Sequence, residues 1–359
     1  MTTRKETVNP EELIRPRIAS IGAYHVEPYP CEVALDANES PYAPPPKLAE
    51  RIHRAMGAVA LNRYPDMLAQ NLRDAIAAKE GVEAEEILLG NGSDEVIQCL
   101  CAATLEPGET VLVPSPTFSM YRQIAGYFGA DTVEAPLRED WSLDLERMLD
   151  LMKDRAPKII FLATPNNPTG TRFARAEVET VIENAPGLVV VDEAYVDFAD
   201  WSFGPLFRQA PNVVVLKTLS KVGFAALRLG YMMADHRLSA GVNKTRLPYN
   251  INSITQAVAR EVVEHWDWLK PLFGMVKKER EKMSAALKKT GWLAPYPSEA
   301  NFILMRVDKD PQTVFSGLLT DGVRVRWFKD SSRLSDHFRV TVGTPEENAR
   351  FLKSVDGIR

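Results

Sequence analysis

The stretch Leu188-Val189-Val190-Val191-Asp192-Glu193-Ala194-Tyr195 places four consecutive branched apolar residues directly before a pair of acids. A run without polar alternation fits a strand buried on both faces, as in a parallel sheet covered by helices. Similar short runs occur at Glu86–Leu89, Thr110–Val113, Lys158–Ala163 and Asn212–Lys217. Amphipathic stretches lie between several of them, such as Asp94–Thr104 and Phe118–Phe128. Strands alternating with helices predict an α/β fold with a largely parallel sheet. In such an open sheet an acid at the carboxyl end of a central strand stands over the crevice where ligands bind.

Outward from this core the texture changes twice. Residues 1–46 are rich in proline (Pro28, Pro30, Pro41, Pro44, Pro45, Pro46) and read as an extended arm. From Lys47 helical spacing begins with Leu48, Ile52, Ala55 and Met56. It resumes with Leu68, Leu72 and Ile76 behind Asp66, and Gly81 is the expected stop. After Tyr249 a long helical region, Asn252 to about Lys289 with a break at Pro271, leads to short strands at Asn301–Val307, Val323–Phe328 and His337–Val342. Helices are expected at Pro311–Thr320 and Pro345–Val355. The division predicted is an N-terminal arm over 1–46 packing with the small domain, a large domain over 47–249, and a small α+β domain over 250–359.

Composition narrows the chemistry. The 359 residues carry 43 Lys and Arg against 48 Asp and Glu, a formal charge of −5, which gives no footprint for nucleic acid. Three cysteines make no disulfide framework, and five scattered histidines show no metal-ligand spacing, so no metal is expected. The charged start, MTTRKETVNPEE, does not read as a secretory signal, and no run of about 18 apolar residues suggests a membrane span. A cytoplasmic protein with small-molecule partners is the expectation.

Four segments carry candidate chemistry. In Lys217-Thr218-Leu219-Ser220-Lys221 a strand ends in hydroxyls and a lysine, followed by small residues and Arg228. Such a lysine, held largely away from water, would lose ammonium character and become a nucleophile able to form an imine with an aldehyde cofactor. A surface lysine after a strand would look the same. Asp192, with Tyr195 three residues on, could keep a pyridine nitrogen protonated, or could simply cap a helix. Pro165-Asn166-Asn167-Pro168-Thr169-Gly170 is turn chemistry in which an Asn amide can also donate to a ring oxygen. Gly90-Asn91-Gly92-Ser93-Asp94-Glu95 joins a strand to a helix, where exposed N–H groups suit a phosphate. It matches neither a Walker A loop nor G-x-G-x-x-G.

Taken in order, these segments resemble the fold-type I aminotransferases that use pyridoxal 5'-phosphate. Ala23-Tyr24-His25, Leu35-Asp36-Ala37-Asn38-Glu39, Arg63-Tyr64-Pro65-Asp66, Pro114–Tyr121 and Phe338–Thr344 are similar to the histidinol-phosphate aminotransferase family. The resemblance implies a large domain with a mostly parallel seven-stranded sheet between helices, plus a smaller α+β domain. It implies Lys221 as the imine lysine and Asp192 as partner of the pyridine nitrogen, with Asn167 and Tyr195 on the ring's phenolic oxygen. Ser93, Asp94, Thr218, Ser220 and Arg228 would hold the phosphate, and Phe118 would stack on the ring. Tyr64 would reach the phosphate of a neighbouring subunit in a homodimer with shared active sites. Arg326 and Arg339 would grip the substrate's anionic end, with Tyr24 and Asn38 closing the pocket.

The implied reaction transfers the amino group of L-histidinol phosphate to 2-oxoglutarate, yielding imidazole-acetol phosphate and L-glutamate, in histidine biosynthesis. Two departures are evident. Phe118 stands where relatives usually carry Tyr, so a hydroxyl is lost while stacking is kept. Arg228 follows Lys221 by seven positions where eight is commoner. An aromatic or broad-range aminotransferase shares every cofactor residue. A threonine-phosphate decarboxylase and a non-catalytic binding protein are two further readings of the same fold.

Overall fold

The computed structural model describes residues 9–23 and 29–358. In chain order its strands are β1 (Val33–Leu35), β2 (Ile87–Asn91), β3 (Thr110–Ser115), β4 (Asp131–Pro136), β5 (Ile159–Ala163), β6 (Leu188–Asp192), β7 (Val213–Thr218), β8 (Leu229–Met233), β9 (Leu293–Pro295), β10 (Phe302–Val307), β11 (Val323–Trp327) and β12 (His337–Thr341). Seven of them form one sheet in the order β2-β8-β7-β6-β5-β3-β4, and five form a second in the order β1-β11-β12-β10-β9.

In the larger sheet only β8 runs against its neighbours; the β7–β6–β5–β3–β4 pairings are all parallel. Every residue of β5 is buried, as the absence of alternation in its sequence requires. Along β6, Val189 and Val191 enter one core and Val190 the other, so the strand is sandwiched. The chain runs from β3 out to the edge strand β4 and returns to β5 on the other side of β3. Such a reversal opens a crevice beyond the carboxyl ends of the strands.

The smaller sheet is antiparallel except for β1, which pairs in parallel with β11. The proline-rich arm thus contributes a strand to a sheet otherwise built late in the chain, with Val33 opposite Val323 and Leu35 opposite Val325. Helix ends follow local chemistry. Gly81 closes the helix Gln70–Glu80 at φ 69°, a left-handed conformation that a Cβ penalises. Asp310 and Thr344 cap the helices Pro311–Thr320 and Pro345–Gly357, the latter with a reciprocal Thr344–Glu347 box.

Two expectations need correction, the site of the helix break and the roll of strands. The break in the long helical region falls at residues 265–269, and Pro271 lies in the first turn of the helix Lys270–Lys289, where its missing N–H costs nothing. The preceding helix, Ser253–Glu264, packs against the helices Pro46–Gly57 and Gln70–Glu80 of the large-sheet side. Strands β4, β8 and the three-residue β9 lie outside the runs expected as strands. β4 is a half-exposed edge strand of sequence DTVEAP, and β8 (LGYMM) lacks β-branched residues, so neither carries the usual pattern. Among the described residues no helix is long and apolar enough to cross a membrane.

Candidate active site

A cavity of about 500 Å³ lies beyond the carboxyl ends of β3, β5, β6 and β7, closed on one side by β11 and β12. That volume is ordinary for a cofactor or small-ligand site. Its floor is Asp192, the last residue of β6, which is buried. Burial pushes the Asp192 carboxyl up from its ordinary range, and hydrogen bonds from Tyr121 and the Ala194 N–H oppose that push. Tyr121 Oη donates to Asp192 Oδ2 at 2.6 Å, and the Ala194 N–H donates to Oδ1 at 3.0 Å. Phe118 packs edge-on against Tyr121 and lines the same cavity.

Lys221 enters from the turn after β7. Its Nζ donates to the Ala37 carbonyl at 3.3 Å and stands 5.8 Å from the centre of the Tyr195 ring. The expectation that this lysine would be largely withdrawn from water is not met: the residue is half-buried on the cavity wall. Tyr195 is buried, and its Oη accepts a hydrogen bond from Asn38 Nδ2 at 2.9 Å. Asn38 is itself fixed, its N–H donating to Thr341 Oγ1 and its carbonyl accepting from Asn301 Nδ2. Asn38 is therefore tied both to the turn after β6 and to residues of the smaller sheet's side.

An anion-binding corner forms where β2 meets the helix Ser93–Thr104. Its N-terminus is a site of partial positive charge with free N–H groups. A Cβ on Gly92 would stand 2.6 Å from Arg228 Nη2, and one on Gly230 would stand 2.3 Å from the Ser93 backbone N. Only glycine lets the guanidinium and β8 approach so closely. Arg228 Nη1 donates to Ser220 Oγ at 3.3 Å, and Thr218 Oγ1 lies 3.0 Å from the same oxygen. Arg228 holds a left-handed backbone, φ 47°, at a cost of about 1–2 kcal/mol for a non-glycine residue. That conformation delivers its guanidinium to the corner. Asp94, 3.6 Å from Arg228 Nη2, has its carboxyl raised by burial, with Arg228 and Lys221 opposing.

The opposite wall is cationic. The register of β11 and β12 sets Arg326 directly across from Arg339, a like-charge pairing that is unfavourable without an anion nearby. Arg339 is buried and donates to Asn167 Oδ1 at 2.5 Å and to the Asp36 carbonyl at 2.6 Å. Arg326 lines the cavity beside Phe328. Arg324, two residues earlier, is instead tied to Asp36 Oδ2 at 3.0 Å and to the Tyr29 carbonyl. Asn167 borders the cavity, whereas its neighbour Asn166 is buried and spends its amide on Pro116 and Thr169.

The structure thus brings Asn38, Ser93, Asp94, Phe118, Asn167, Asp192, Tyr195, Thr218, Ser220, Lys221, Arg228, Arg326 and Arg339 to one cavity. Tyr64 is not among them: it is 82% exposed and stacks on Tyr249 at 4.8 Å. Tyr24 lies outside the described residues. Two groups have roles that the sequence does not announce. Tyr121 belongs to the Pro114–Tyr121 stretch, but nothing local tells that it meets an acid 71 positions away. Glu193, one of an acid pair in the sequence, turns to the other side of the sheet, where Lys217 Nζ lies 3.6 Å from it and 2.7 Å from Glu80 Oε2.

The donors fit pyridoxal phosphate: an amine and a buried carboxylate on one cavity, with a hydroxyl, guanidinium and helix-terminus cradle beside them. Aminotransferase class I and II is the family whose model matches residues 32–355, and the chain belongs to that family. It is 41% identical to the histidinol-phosphate aminotransferase of Chromobacterium violaceum, over 96% of this chain and 97% of that one. It is 41% identical to histidinol-phosphate aminotransferase 2 of Nitrosococcus oceani, over 95% and 96%. Among solved structures, the histidinol-phosphate aminotransferase of Sinorhizobium meliloti in complex with pyridoxal-5'-phosphate aligns with a TM-score of 0.87 at 24% identity, covering 96% of this chain and 97% of that one. The fold is that of the fold-type I aminotransferases, with the mostly parallel seven-stranded sheet the sequence implied.

Proposed function

We propose that this chain is a pyridoxal-phosphate-dependent histidinol-phosphate aminotransferase, passing the amino group of L-histidinol phosphate to 2-oxoglutarate to give imidazole-acetol phosphate and L-glutamate in histidine biosynthesis. The observation that carries the reading is the Arg326–Arg339 pair facing a cavity that also holds Lys221 and Asp192. The relatives at about 40% identity, each bearing that name, support the substrate. Bound pyridoxal phosphate would supply an aldehyde carbon for amines and a ring that accepts electrons from the substrate's α-carbon.

The protein's part is positioning and proton transfer. Ser93, Asp94 (through its backbone), Thr218, Ser220 and Arg228 would hold the cofactor phosphate. Asn167 and Tyr195 would serve the ring's phenolic oxygen, Asp192 its nitrogen, and Phe118 would stack on the ring. Lys221 Nζ would be the amine that holds the cofactor's aldehyde and the general base and acid that moves the substrate's α-proton. Arg326 and Arg339 bind first a phosphate and then a carboxylate, since a guanidinium fork accepts either. Tyr24 and Asn38 close the pocket from the arm, residues 1–46; the large domain is 47–249 and the small domain 250–359.

Homodimerisation is part of the reading. Tyr64, Leu61, Met67, Leu68 and Leu247 are exposed apolar groups, and Tyr64 does not line its own cavity. It would serve a neighbouring subunit's phosphate in a cytoplasmic dimer. Two assays test the function. Lys221→Ala should lower transamination by ~10³-fold or more, the scale of a lost general base. Histidinol phosphate should exceed phenylalanine and tyrosine in kcat/KM; the reverse order would assign the chain to aromatic substrates.

A further inference from the structure

The contact that the cofactor reading leaves unexplained is the one beneath Asp192. Tyr121 is fully buried, and its ring stacks on Phe161 at 4.5 Å with an interplanar angle of 5°. Phe118 packs against the same ring in a T-shaped contact at 5.4 Å. Held by two ring contacts, the phenol donates to Asp192 Oδ2 at 2.6 Å, and among the described residues that is its hydrogen-bond partner. Resting on the pyridoxal-phosphate reading above, we propose that Tyr121 is a positioning residue for Asp192: its proton orients the carboxylate and holds it anionic beneath the cofactor's ring nitrogen.

The electrostatics agree with the geometry. Buried carboxylates lose charge unless hydrogen bonds or cations hold it. The titratable groups acting on Asp192 are Tyr121, Asp94 and Lys221, and of these only Lys221 is a cation. Two neutral donors, Tyr121 Oη and the Ala194 N–H, therefore carry much of the task of keeping the acid ionised. Burial and Asp192 together raise the Tyr121 phenol well above its ordinary range, so it remains a donor at every working pH. A protonated Asp192 could not hold a proton on a ring nitrogen, and the electron-accepting power of the ring would fall.

Tyr121→Phe keeps the stacked ring and removes only the donor. In the cofactor-free full chain, ¹³C NMR of labelled aspartate should show the Asp192 carboxyl titrating about one pH unit higher, a tenfold loss of anion. In the holoenzyme, pyridoxal phosphate should bind about tenfold more weakly and its visible absorbance should change its pH dependence. The loss should fall on kcat more than on KM, and the acid limb of kcat/KM should move upward. Site-specific 3-fluorotyrosine at 121, a more acidic phenol in the same ring, should move the carboxyl the opposite way. This second variant decides the matter even if Tyr121→Phe folds poorly. An unchanged Asp192 titration, or shifts of one sign in both variants, overturns the proposal. Wild-type protein that takes up no pyridoxal phosphate sinks the cofactor reading and this proposal together. Normal uptake with an unaltered Tyr121→Phe sinks the proposal alone.

Discussion

Asp192 and Glu193 are neighbours in the chain, yet they serve opposite sides of one sheet under opposite electrostatic conditions. Glu193 faces a closed ionic cluster: Lys217 bridges it and Glu80, Lys79 and Tyr231 complete Glu80, and Ser202 donates to Glu193. Lys217 and Glu80 compensate each other. Burial alone would raise the Glu80 carboxyl, but Lys217 and Lys79 bring it down to about 2. Burial alone would lower the Lys217 ammonium, but Glu80 and Glu193 raise it. Asp192 has two neutral donors and an open cavity above it. A buried charge whose partners are all internal is architecture; one that fronts a cavity with its partner set incomplete is poised for a ligand.

That contrast can be broken by experiment. The largest stability effect should come from Lys217→Met, which leaves Glu193 without its cation and Glu80 with Lys79 alone. A loss of about 3–5 kcal/mol in urea unfolding is expected, the scale of a severed buried pair. Asp192→Asn should do the reverse. Its kcat should fall by ~10²–10³-fold, as for other removed electrostatic stabilisers, while the urea midpoint stays level or rises because a penalised buried charge has gone. Equal stability losses in both variants would erase the distinction. A smaller effect concerns pH. Because Glu80 titrates lower folded than unfolded, its contribution is complete above its ordinary value of about 4.5 and fades as pH falls toward about 2. Unfolding free energy measured from pH 5 to pH 2 should show that slope in the wild type and less of it in Glu80→Gln.

Much of the site was legible because strand ends advertise themselves. Asp192, Thr218, Ser220 and Lys221 follow uninterrupted apolar runs, and the glycines before Ser93 mark a strand-to-helix turn. Arg228 was legible as a residue but not as a conformation: its left-handed backbone follows from the packing of β8 on Ser93. The facing of Arg326 and Arg339 is a matter of strand register, which no spacing in the chain encodes. The arm's path was hidden for the same reason, since β1 pairs with a strand nearly 300 positions away.

By itself, then, the order of residues determined the strand-and-helix alternation, the helix stop at Gly81 and the helix start at Pro345, and the residue types able to hold an aldehyde cofactor. Burial period, caps and turn chemistry act over a few positions, so they are written locally. Only the folded chain decided that Tyr121 stands under Asp192, that Glu193 belongs to the far side with Lys217, and that the amine of Lys221 rests half-buried on a cavity wall. Those outcomes depend on which face of a strand meets which helix, and that is settled by long-range packing.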